Sequence, residues 1–523
     1  MATKDQKAKG GVFQKFLDFV EKAGNKLPHP VTLFFILAIA VIFISYICEM
    51  LGVSVTYEVT QKAEDGTIAT VEQTVAAVSL LSADGIRYIF STMVTNFTGF
   101  APLGTVLVAM LGVGVAEGTG LIDAALKKAV MSTPRKLITV MVVFLGIMSN
   151  IASDAGYVVL VPLGAVIFLS FGRHPLAGLA AAFAGVSGGF SANLLIGTLD
   201  PLLGGISTEA ANIMAPGYVV QPTANWYFMI ASTFVIAALG TIVTERIVEP
   251  RLGEYKGKQV DTNIKDITPA EKKGLTAALV SMLVFIGIML ALLVPEGAIL
   301  RNPETGEILR GSAFMAGLVP IIAMFFLIPG VFYGIFAKTV KDDKDVARFM
   351  GKAMSSMGGY LVLAFAASQF IAYFTYSKLG TILAVTGADF LEAIGLSGVP
   401  LMVGFIIVAA FINLFMGSAS AKWAIMAPIF IPMFMRLGYS PELTQLAYRI
   451  GDSTTNIISP LMSYFAVIVA FAEQYDEETG IGTLISMMLP YSLLFLAGWT
   501  VLMIIWFMAG LPIGPDAPIY FSL

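Results

Sequence analysis

The chain has 523 residues, of which 57% are hydrophobic and 13% are charged, and its mean hydropathy is +0.84. A soluble protein has about 25% charged residues, so this composition excludes a soluble enzyme and predicts helices that face lipid. The net charge is −4, so the chain does not have the excess of basic residues that is typical of a nucleic-acid-binding protein. One cysteine and two histidines exclude a disulfide framework and most metal sites.

Apolar runs of the length that crosses a bilayer recur along the chain, and the first covers about residues 30–52. The lysine-bearing segment 1–29 comes before it. Positive charge accumulates on cytoplasmic loops, so we expect this N-terminal segment to be cytoplasmic. The next loop, at about 53–83, is mainly acidic and is expected outside the membrane.

A basic cytoplasmic linker at 248–273 divides the chain into a first half, 30–247, and a second half, 274–523. One region of each half consists of apolar runs too short for whole spans, separated by small polar clusters. Such segments predict re-entrant hairpins and broken helices. The predicted segments are hairpin 1 at about 137–172, a broken helix at about 176–207, hairpin 2 at about 398–438 and a broken helix at about 440–472. The prediction is an all-α polytopic membrane protein with about nine transmembrane helices plus these two hairpins.

The two unusual regions align with each other at an offset of 266 residues. Pro162 then matches Pro428, and Pro175 matches Pro441. Hairpin 1 is predicted to insert from the cytoplasm and hairpin 2 from outside, so the repeat is inverted. Inverted repeats place transporter sites near the bilayer midplane, where their helices break. We therefore predict a site at the two hairpin tips and the two helix breaks.

Asp200, Arg449 and Asp452 are the main charged candidates at this predicted site. Asp200 follows the first helix break, and a carboxylate at bilayer depth costs about 2.5–3.5 kcal/mol, which favours a proton or cation site. The alternative is a cap for the half-helix at Pro201. Arg449 and Asp452 are three apart on one helix and can pair. Either the pair is structural, or Arg449 binds an anionic substrate while Asp452 orients it or binds the coupling cation.

Uncharged residues at the predicted site have two interpretations each. Trp423 suits stacking on an aromatic ligand, and the alternative is packing against lipid. Asn193 and Asn456, at the symmetric breaks, supply the neutral oxygens that Na+ prefers, and the alternative is helix capping.

Further candidates surround the two hairpin tips. Asn413 and Ser418 repeat the argument for neutral oxygens. Lys422 either extends its charge to the membrane surface or neutralises a carboxylate. Asp154, at the predicted tip of hairpin 1, is a second candidate ionisable group.

Seven motifs are distributed over nearly the whole chain. They are Leu27-Pro28-His29-Pro30, Asn96-Phe97-Thr98-Gly99-Phe100-Ala101-Pro102-Leu103-Gly104, Gly172-Arg173-His174-Pro175-Leu176-Ala177-Gly178-Leu179, Ser191-Ala192-Asn193-Leu194-Leu195, Gly417-Ser418-Ala419-Ser420-Ala421-Lys422-Trp423, Arg449-Ile450-Gly451-Asp452-Ser453, and the region from Met488-Leu489-Pro490-Tyr491 to Gly510-Leu511-Pro512-Ile513-Gly514-Pro515. In this combination the chain resembles the p-aminobenzoyl-glutamate transporter (AbgT) family. The resemblance implies a homodimer, each protomer having an inner transport core and an outer scaffold.

The resemblance also implies a substrate and a set of important residues. The substrate is p-aminobenzoyl-glutamate, a folate breakdown product, or sulfonamide drugs that mimic its p-aminobenzoate part. By motif position, the important residues of the family fall on Asp200, Trp423, Pro441, Arg449 and Asp452. Pro441 begins the last broken helix, so we expect its role to be positional.

The expected function is therefore ion-coupled secondary transport of folate catabolites across a bacterial inner membrane. The alternative is a proton-driven efflux pump for sulfonamides. The coupling ion is H+, or Na+ near Asn193 and Asn456, without a cofactor. An intramembrane aspartyl protease is disfavoured because the residues before Asp452 lack the Gly-X-Gly-Asp motif, and a channel suits two inverted hairpins less well. Import and export share one architecture, so the direction stays open.

Overall fold

The computed structural model describes residues 28–62, 68–152, 156–257, 267–309, 311–462 and 464–521. Nearly all of the regular structure in these ranges is helical, which confirms the predicted helical class. Most of the N-terminal segment 1–29 lies outside the described residues, and so does part of the linker 248–273.

The acidic segment at 53–83 was predicted only as an external loop, but it contains two β-strands. It forms strands β1 Ser54–Lys62 and β2 Ile68–Ala76, which pair antiparallel with Ser54 opposite Ala76. Both strands are rich in valine and threonine, which favour extended backbone. The hydroxyls of Thr56 and Thr74 lie 2.8 Å apart across the pair. This β-branched pattern was the signal for the hairpin.

The helices of the first half are α1 Pro30–Met50, α2 Ala83–Thr98, α3 Ala101–Gly118, α4 Leu121–Met131, α5 Ile138–Ser149, α6 Val161–Ser170, α7 Pro175–Phe183, α8 Leu199–Ala211, α9 Trp226–Val243 and α10 Glu249–Leu252. Shorter turns are 3₁₀ at Arg135–Leu137 and Asn150–Ala152, and π at Gly156–Leu160, Ala184–Gly188 and Thr244–Val248.

The helices of the second half are α11 Pro269–Leu293, α12 Ala313–Ala316, α13 Leu318–Ala337, α14 Asp343–Ser356, α15 Gly358–Tyr376, α16 Leu379–Ala393, α17 Gly398–Asn413, α18 Ala419–Arg436, α19 Pro441–Asn456, α20 Phe465–Glu473 and α21 Ile481–Met508.

Within the described residues, seven helical segments are long and apolar enough to cross a membrane. There is an eighth if α4 and the segment Arg135–Ser149 count as one span, which is bent by 114° at the break between them. The predicted nine spans are the seven segments together with the two broken helices, and that count stays a prediction.

Two units of the chain contain the predicted hairpins and broken helices. The first unit, residues 138–211, comprises α5 to α8, and the second unit, residues 398–473, comprises α17 to α20. The broken helices begin alike, because His174 caps α7 ahead of Pro175 and Ser440 caps α19 ahead of Pro441. In the turn before α7, burial holds the pKa of His174 below its usual value.

Close backbone contacts at equivalent glycines show that the two units pack in the same way. A Cβ on Gly185 would lie 2.3 Å from the carbonyl oxygen of Val143 on α5. A Cβ on Gly451 would lie 2.5 Å from the carbonyl oxygen of Ile406 on α17. Only glycine permits these approaches. Helix α8 of the first unit also packs against α18 and α19 of the second, so the two units meet there.

Candidate functional site

Helix α19 is the centre of the candidate site because its polar residues are all hidden from solvent. Every residue from Pro441 to Asn456 is buried, including Arg449 and Asp452. A buried charge is costly unless another group neutralises it or hydrogen-bonds to it. The partners come from α8, α17 and α18, which pack around α19.

Arg449 pairs with Asp200 across the boundary between the two units. Its Nη1 lies 2.7 Å from Asp200 Oδ1, and both side chains are 3% exposed. Asp200 is the second residue of α8, and its Oδ2 accepts a 2.7 Å hydrogen bond from the Gly197 amide in the break. Asp200 thus pairs with a guanidinium and accepts from an amide that precedes the helix, while Thr198 holds the N-cap position, so a proton or cation site at Asp200 stays a prediction.

The predicted pairing of Arg449 with Asp452 is wrong. Asp452 Oδ1 instead lies 2.6 Å from Lys422 Nζ and accepts a 3.3 Å hydrogen bond from the Tyr448 hydroxyl. Arg449 extends to α8 of the other unit, whereas Asp452 faces α18 of its own unit. Lys422 is 1% exposed, so it neutralises a carboxylate and does not extend to the membrane surface.

Asn413 and Asn456 are joined at the end of α17. The Nδ2 of Asn413 lies 2.9 Å from Asn456 Oδ1, 2.9 Å from Thr455 Oγ1 and 2.5 Å from the Asp452 carbonyl oxygen. One amide thus ties hairpin 2 to the helix that breaks behind it. Asn456 serves here as an internal acceptor.

Asn193 makes the corresponding link in the first unit. Its Nδ2 donates to the carbonyl of Ile147 at 3.4 Å, and its Oδ1 accepts from the Leu195 amide at 3.1 Å. Ile147 is the residue equivalent to Asn413 at the offset of 266. Both break asparagines therefore connect to the end of the first hairpin helix, and a sodium site near Asn193 and Asn456 stays a prediction.

Trp423 is fully buried, so the lipid-packing alternative is wrong. Its ring stacks on Tyr448 with centroids 4.4 Å apart, and its Nε1 donates to Ser207 Oγ at 3.0 Å. Ser207 in turn lies 2.6 Å from Gln445 Oε1. These hydrogen bonds add a second polar link between α8 and α19.

Ser418 and Pro441 occupy positions at helix starts. Ser418 caps α18 and lines a cavity of about 520 Å³ together with Gly417, Ser420 and Tyr360. Pro441 is the first residue of α19. The candidate residue Asp154 lies outside the described residues, so its place relative to the site stays a prediction.

Several buried polar atoms at the unit boundary lack a hydrogen bond. Arg449 Nε has none, and Asp200 Oδ1 has only the ion contact with Arg449. The hydroxyls of Ser187 on the π turn before the first break and of Ser453 on α19 also lack partners, and the two elements pack together. An unsatisfied buried group costs about 1–3 kcal/mol, so each of these atoms is favoured to take a polar partner.

Comparison with known proteins identifies the family. The sequence profile of the AbgT transporter family matches residues 15–521. The p-aminobenzoyl-glutamate transport protein of Escherichia coli (strain K12) is 40% identical over 501 residues, which cover 96% of each chain. The chain belongs to the AbgT transporter family.

Two solved structures of AbgT-type transporters share the fold. The YdaH transporter of Alcanivorax borkumensis is 46% identical, with a TM-score of 0.86, over 93% of this chain and 100% of that one. MtrF of Neisseria gonorrhoeae, presented as illuminating a class of antimetabolite efflux pumps, is 52% identical, with a TM-score of 0.90, over 96% of this chain and 100% of that one. The predicted family, helical membrane fold and transporter function are confirmed, and the relatives are transporters rather than enzymes.

Three residues that contact the candidate site of this AbgT-family chain were not predicted from the sequence. Gln445 and Tyr448 lie on α19 within one turn of Arg449, and Ser207 lies two turns after Asp200 on α8. The i, i+4 spacing of Gln445 and Arg449 was the available signal, because it places two polar side chains on one helix face. Ser207 had no comparable sequence signal, since its role depends on the packing of α8 against α18.

Proposed function

We propose that this AbgT-family chain is an ion-coupled secondary transporter of p-aminobenzoyl-glutamate and related aromatic amides of glutamate. The observation that carries the proposal is the buried Asp200–Arg449 pair. This pair joins the broken helix of the first unit to the broken helix of the second, close to the break that precedes α8. The identity shared with the p-aminobenzoyl-glutamate transport protein supports the substrate class.

Arg449 is proposed to bind a carboxylate of the substrate. A guanidinium binds a carboxylate through two parallel N–H groups, and the Nε of Arg449 is buried without a hydrogen-bond partner. The hydroxyls of Ser187 and Ser453 are available to complete the polar contacts. Asp200, which lies on Nη1, then competes with the substrate for the positive charge of the same guanidinium.

This competition supports coupling to protons. Protonation of Asp200 removes the charge that holds Arg449, so a proton on Asp200 and an anion on Arg449 favour each other. Asp452 pairs with Lys422 and not with Arg449, so a proton on Asp452 does not release the guanidinium, and Asp452 is the weaker proton candidate. Sodium near Asn193 and Asn456 is the alternative, and it has less support because each side-chain oxygen already accepts a hydrogen bond.

The aromatic ring of the substrate is proposed to stack on Trp423. The indole is covered by Tyr448 in this conformation, so ring binding requires Tyr448 or the tip of hairpin 2 to move. The cavity of about 520 Å³ beside Ser418 has the size of a small-molecule site and adjoins this tip. Ser418 and Pro441 act in this proposal by fixing the ends of α18 and α19.

Efflux of sulfonamide drugs is the second candidate function. The supporting observation is the 52% identity with MtrF, which is presented with antimetabolite efflux pumps. A sulfonamide shares the aromatic amine and an acidic group with p-aminobenzoate, so Arg449 and Trp423 suit both ligands.

We also propose that the protein is a homodimer in a bacterial inner membrane and that its N-terminus is cytoplasmic. The basic residues at 127–136 support the proposed orientation, because positive charge accumulates on cytoplasmic loops.

Flux measurements in proteoliposomes test the site. Wild-type protein is expected to carry labelled p-aminobenzoyl-glutamate saturably, and Asp200→Ala and Arg449→Ala are each expected to reduce flux to background. Arg348→Ala is the matched control, because the Arg348 side chain on α14 is 66% exposed. Size-exclusion profiles verify that each variant is folded.

The same vesicles test the coupling ion and the second function. Imposed proton gradients should drive flux, whereas sodium gradients at constant pH should not. Labelled sulfonamide leaving the vesicles against its gradient, with no movement of p-aminobenzoyl-glutamate, would favour the efflux pump. Wild-type flux from folded Arg449→Ala would contradict the site assignment for both ligands.

A further inference from the structure

Lys422 occupies a position that is unfavourable for a positive charge. It lies in the first turn of α18, where the helix dipole is positive, and its side chain is 1% exposed. Burial of an ammonium group is costly unless its N–H groups are satisfied and its charge is neutralised. The surroundings of Nζ must therefore supply both.

Three oxygens of different chemistry surround the Lys422 ammonium. Nζ lies 2.6 Å from the carboxylate oxygen Oδ1 of Asp452 and 3.2 Å from the carbonyl oxygen of Met416, and it donates to the side-chain oxygen of Asn413. These oxygens come from the end of α17, the turn after it and the C-terminal half of α19. An ammonium has three N–H donors, so each has an acceptor.

This oxygen set is also the kind that binds an alkali cation. A carboxylate, a side-chain amide and an unwound backbone carbonyl near the C-terminal end of a half-helix are typical sodium ligands in transporters. The cavity of about 520 Å³ is lined by Met416 and Gly417 of the same turn. It therefore lies beside the turn that supplies one of the three oxygens, the carbonyl of Met416.

The first unit has no such oxygen set at the equivalent positions. At the offset of 266, Lys422 corresponds to Gly156 and Asp452 corresponds to Val186. A Cβ on Gly156 would lie 2.9 Å from Val186 Cγ2 and 2.0 Å from Ser149 Oγ, so these side chains fill the space. The cation position is thus specific to the second unit.

We propose that Lys422 is a tethered cation, which permanently fills an alkali-cation position between hairpin 2 and α19. The wild-type protein therefore needs no alkali cation to stabilise this part of the fold. Removal of the ammonium leaves three oxygens and one negative charge around a space that sodium can enter.

Thermal unfolding of Lys422→Ala in detergent, in sodium chloride and in choline chloride of equal ionic strength, tests the proposal. The variant should unfold at a lower temperature than the wild type in choline and regain at least half of the loss in sodium. The wild type and the control Lys352→Ala, which alters an exposed lysine on α14, should unfold at the same temperature in both salts. Choline is too large for the space left by the side chain.

Two further measurements keep the test decisive. Lys422→Ala combined with Asp452→Asn should lose most of the sodium effect, because the carboxylate is its main ligand. If Lys422→Ala does not fold in either salt, Lys422→Ser takes its place in the same comparison, because it also removes the ammonium and leaves the space open. A folded variant of either kind that sodium does not stabilise overturns the proposal. None of these outcomes depends on transport, so they are separate from the test of function.

Discussion

The two hairpin units have the same backbone plan but different chemistry at equivalent positions. The equivalent residues, at an offset of 266, are Ile147 and Asn413, Gly156 and Lys422, and Val186 and Asp452. Each first-unit residue is apolar and each second-unit residue is polar or charged. The contact that is van der Waals packing in the first unit is a 2.6 Å ion pair in the second.

Both units share the backbone plan of the repeat, whereas three of the four charged residues in the two buried ion pairs, Lys422, Arg449 and Asp452, belong to the second unit. The first unit contributes to the candidate site through α8, where Asp200 reaches Arg449 and Ser207 reaches Trp423. Each unit has a helix break because the two units share one backbone plan. The charged residues near these breaks are concentrated at the boundary between the two units.

The largest effect is expected from giving the first unit the charge of the second. Val186→Asp places a carboxylate in a fully buried position beside Gly156, with no lysine in the equivalent place. An isolated buried charge costs about 5 kcal/mol, so little folded protein should be recovered. Fluorescence-detected size exclusion measures the yield, and Val186→Ala, which removes only methyl groups, is the control. A normal yield of Val186→Asp would mean that the first unit accepts a charge as the second does.

A smaller loss is expected when the second unit loses its acidic partner. Asp452→Ala leaves Lys422 buried and unpaired, which should destabilise the protein by about 3–5 kcal/mol. Thermal unfolding in detergent measures the change. The double variant Lys422→Met with Asp452→Ala should recover much of the loss, because it removes both charges. A double variant as unstable as Asp452→Ala alone would show that the ion pair is not the cause.

The smallest effect is expected at the hydrogen bond that joins the units. Ser207→Ala leaves the buried Nε1 of Trp423 without its acceptor, which should cost about 1–3 kcal/mol. Ser355→Ala, on the exposed face of α14, should leave the unfolding temperature unchanged. Tryptophan fluorescence of Ser207→Ala should also change, and an unaltered spectrum with unaltered stability would place the link elsewhere.

Sequence patterns predict much of this fold for identifiable reasons. Proline at the first helical position and short apolar runs mark the starts and breaks of α7 and α19. The offset of 266 predicts equivalences such as Gly185 with Gly451, and both glycines lie against a neighbouring backbone. The β-hairpin was missed because the loop was judged by charge rather than by its alternating valine and threonine residues.

The structure brings several of the predicted site residues together, but it pairs the charged ones differently from the prediction. Spacing along one helix favoured a bond between Arg449 and Asp452, since local spacing is all that a single sequence displays. The actual partners, Asp200 and Lys422, come from other helices, and tertiary packing decides which is nearer. For the same reason the sequence left two interpretations of Lys422 open.

Binding of labelled p-aminobenzoyl-glutamate to purified Asp200→Asn, compared with the wild type over a range of pH, tests the central claim most directly. If Asp200 competes with the substrate for Arg449, the variant should bind more tightly than the wild type at neutral pH and lose most of the pH dependence. Arg449→Ala should not bind at any pH. Binding by Asp200→Asn that is no tighter than that of the wild type and keeps the same pH dependence would contradict the account.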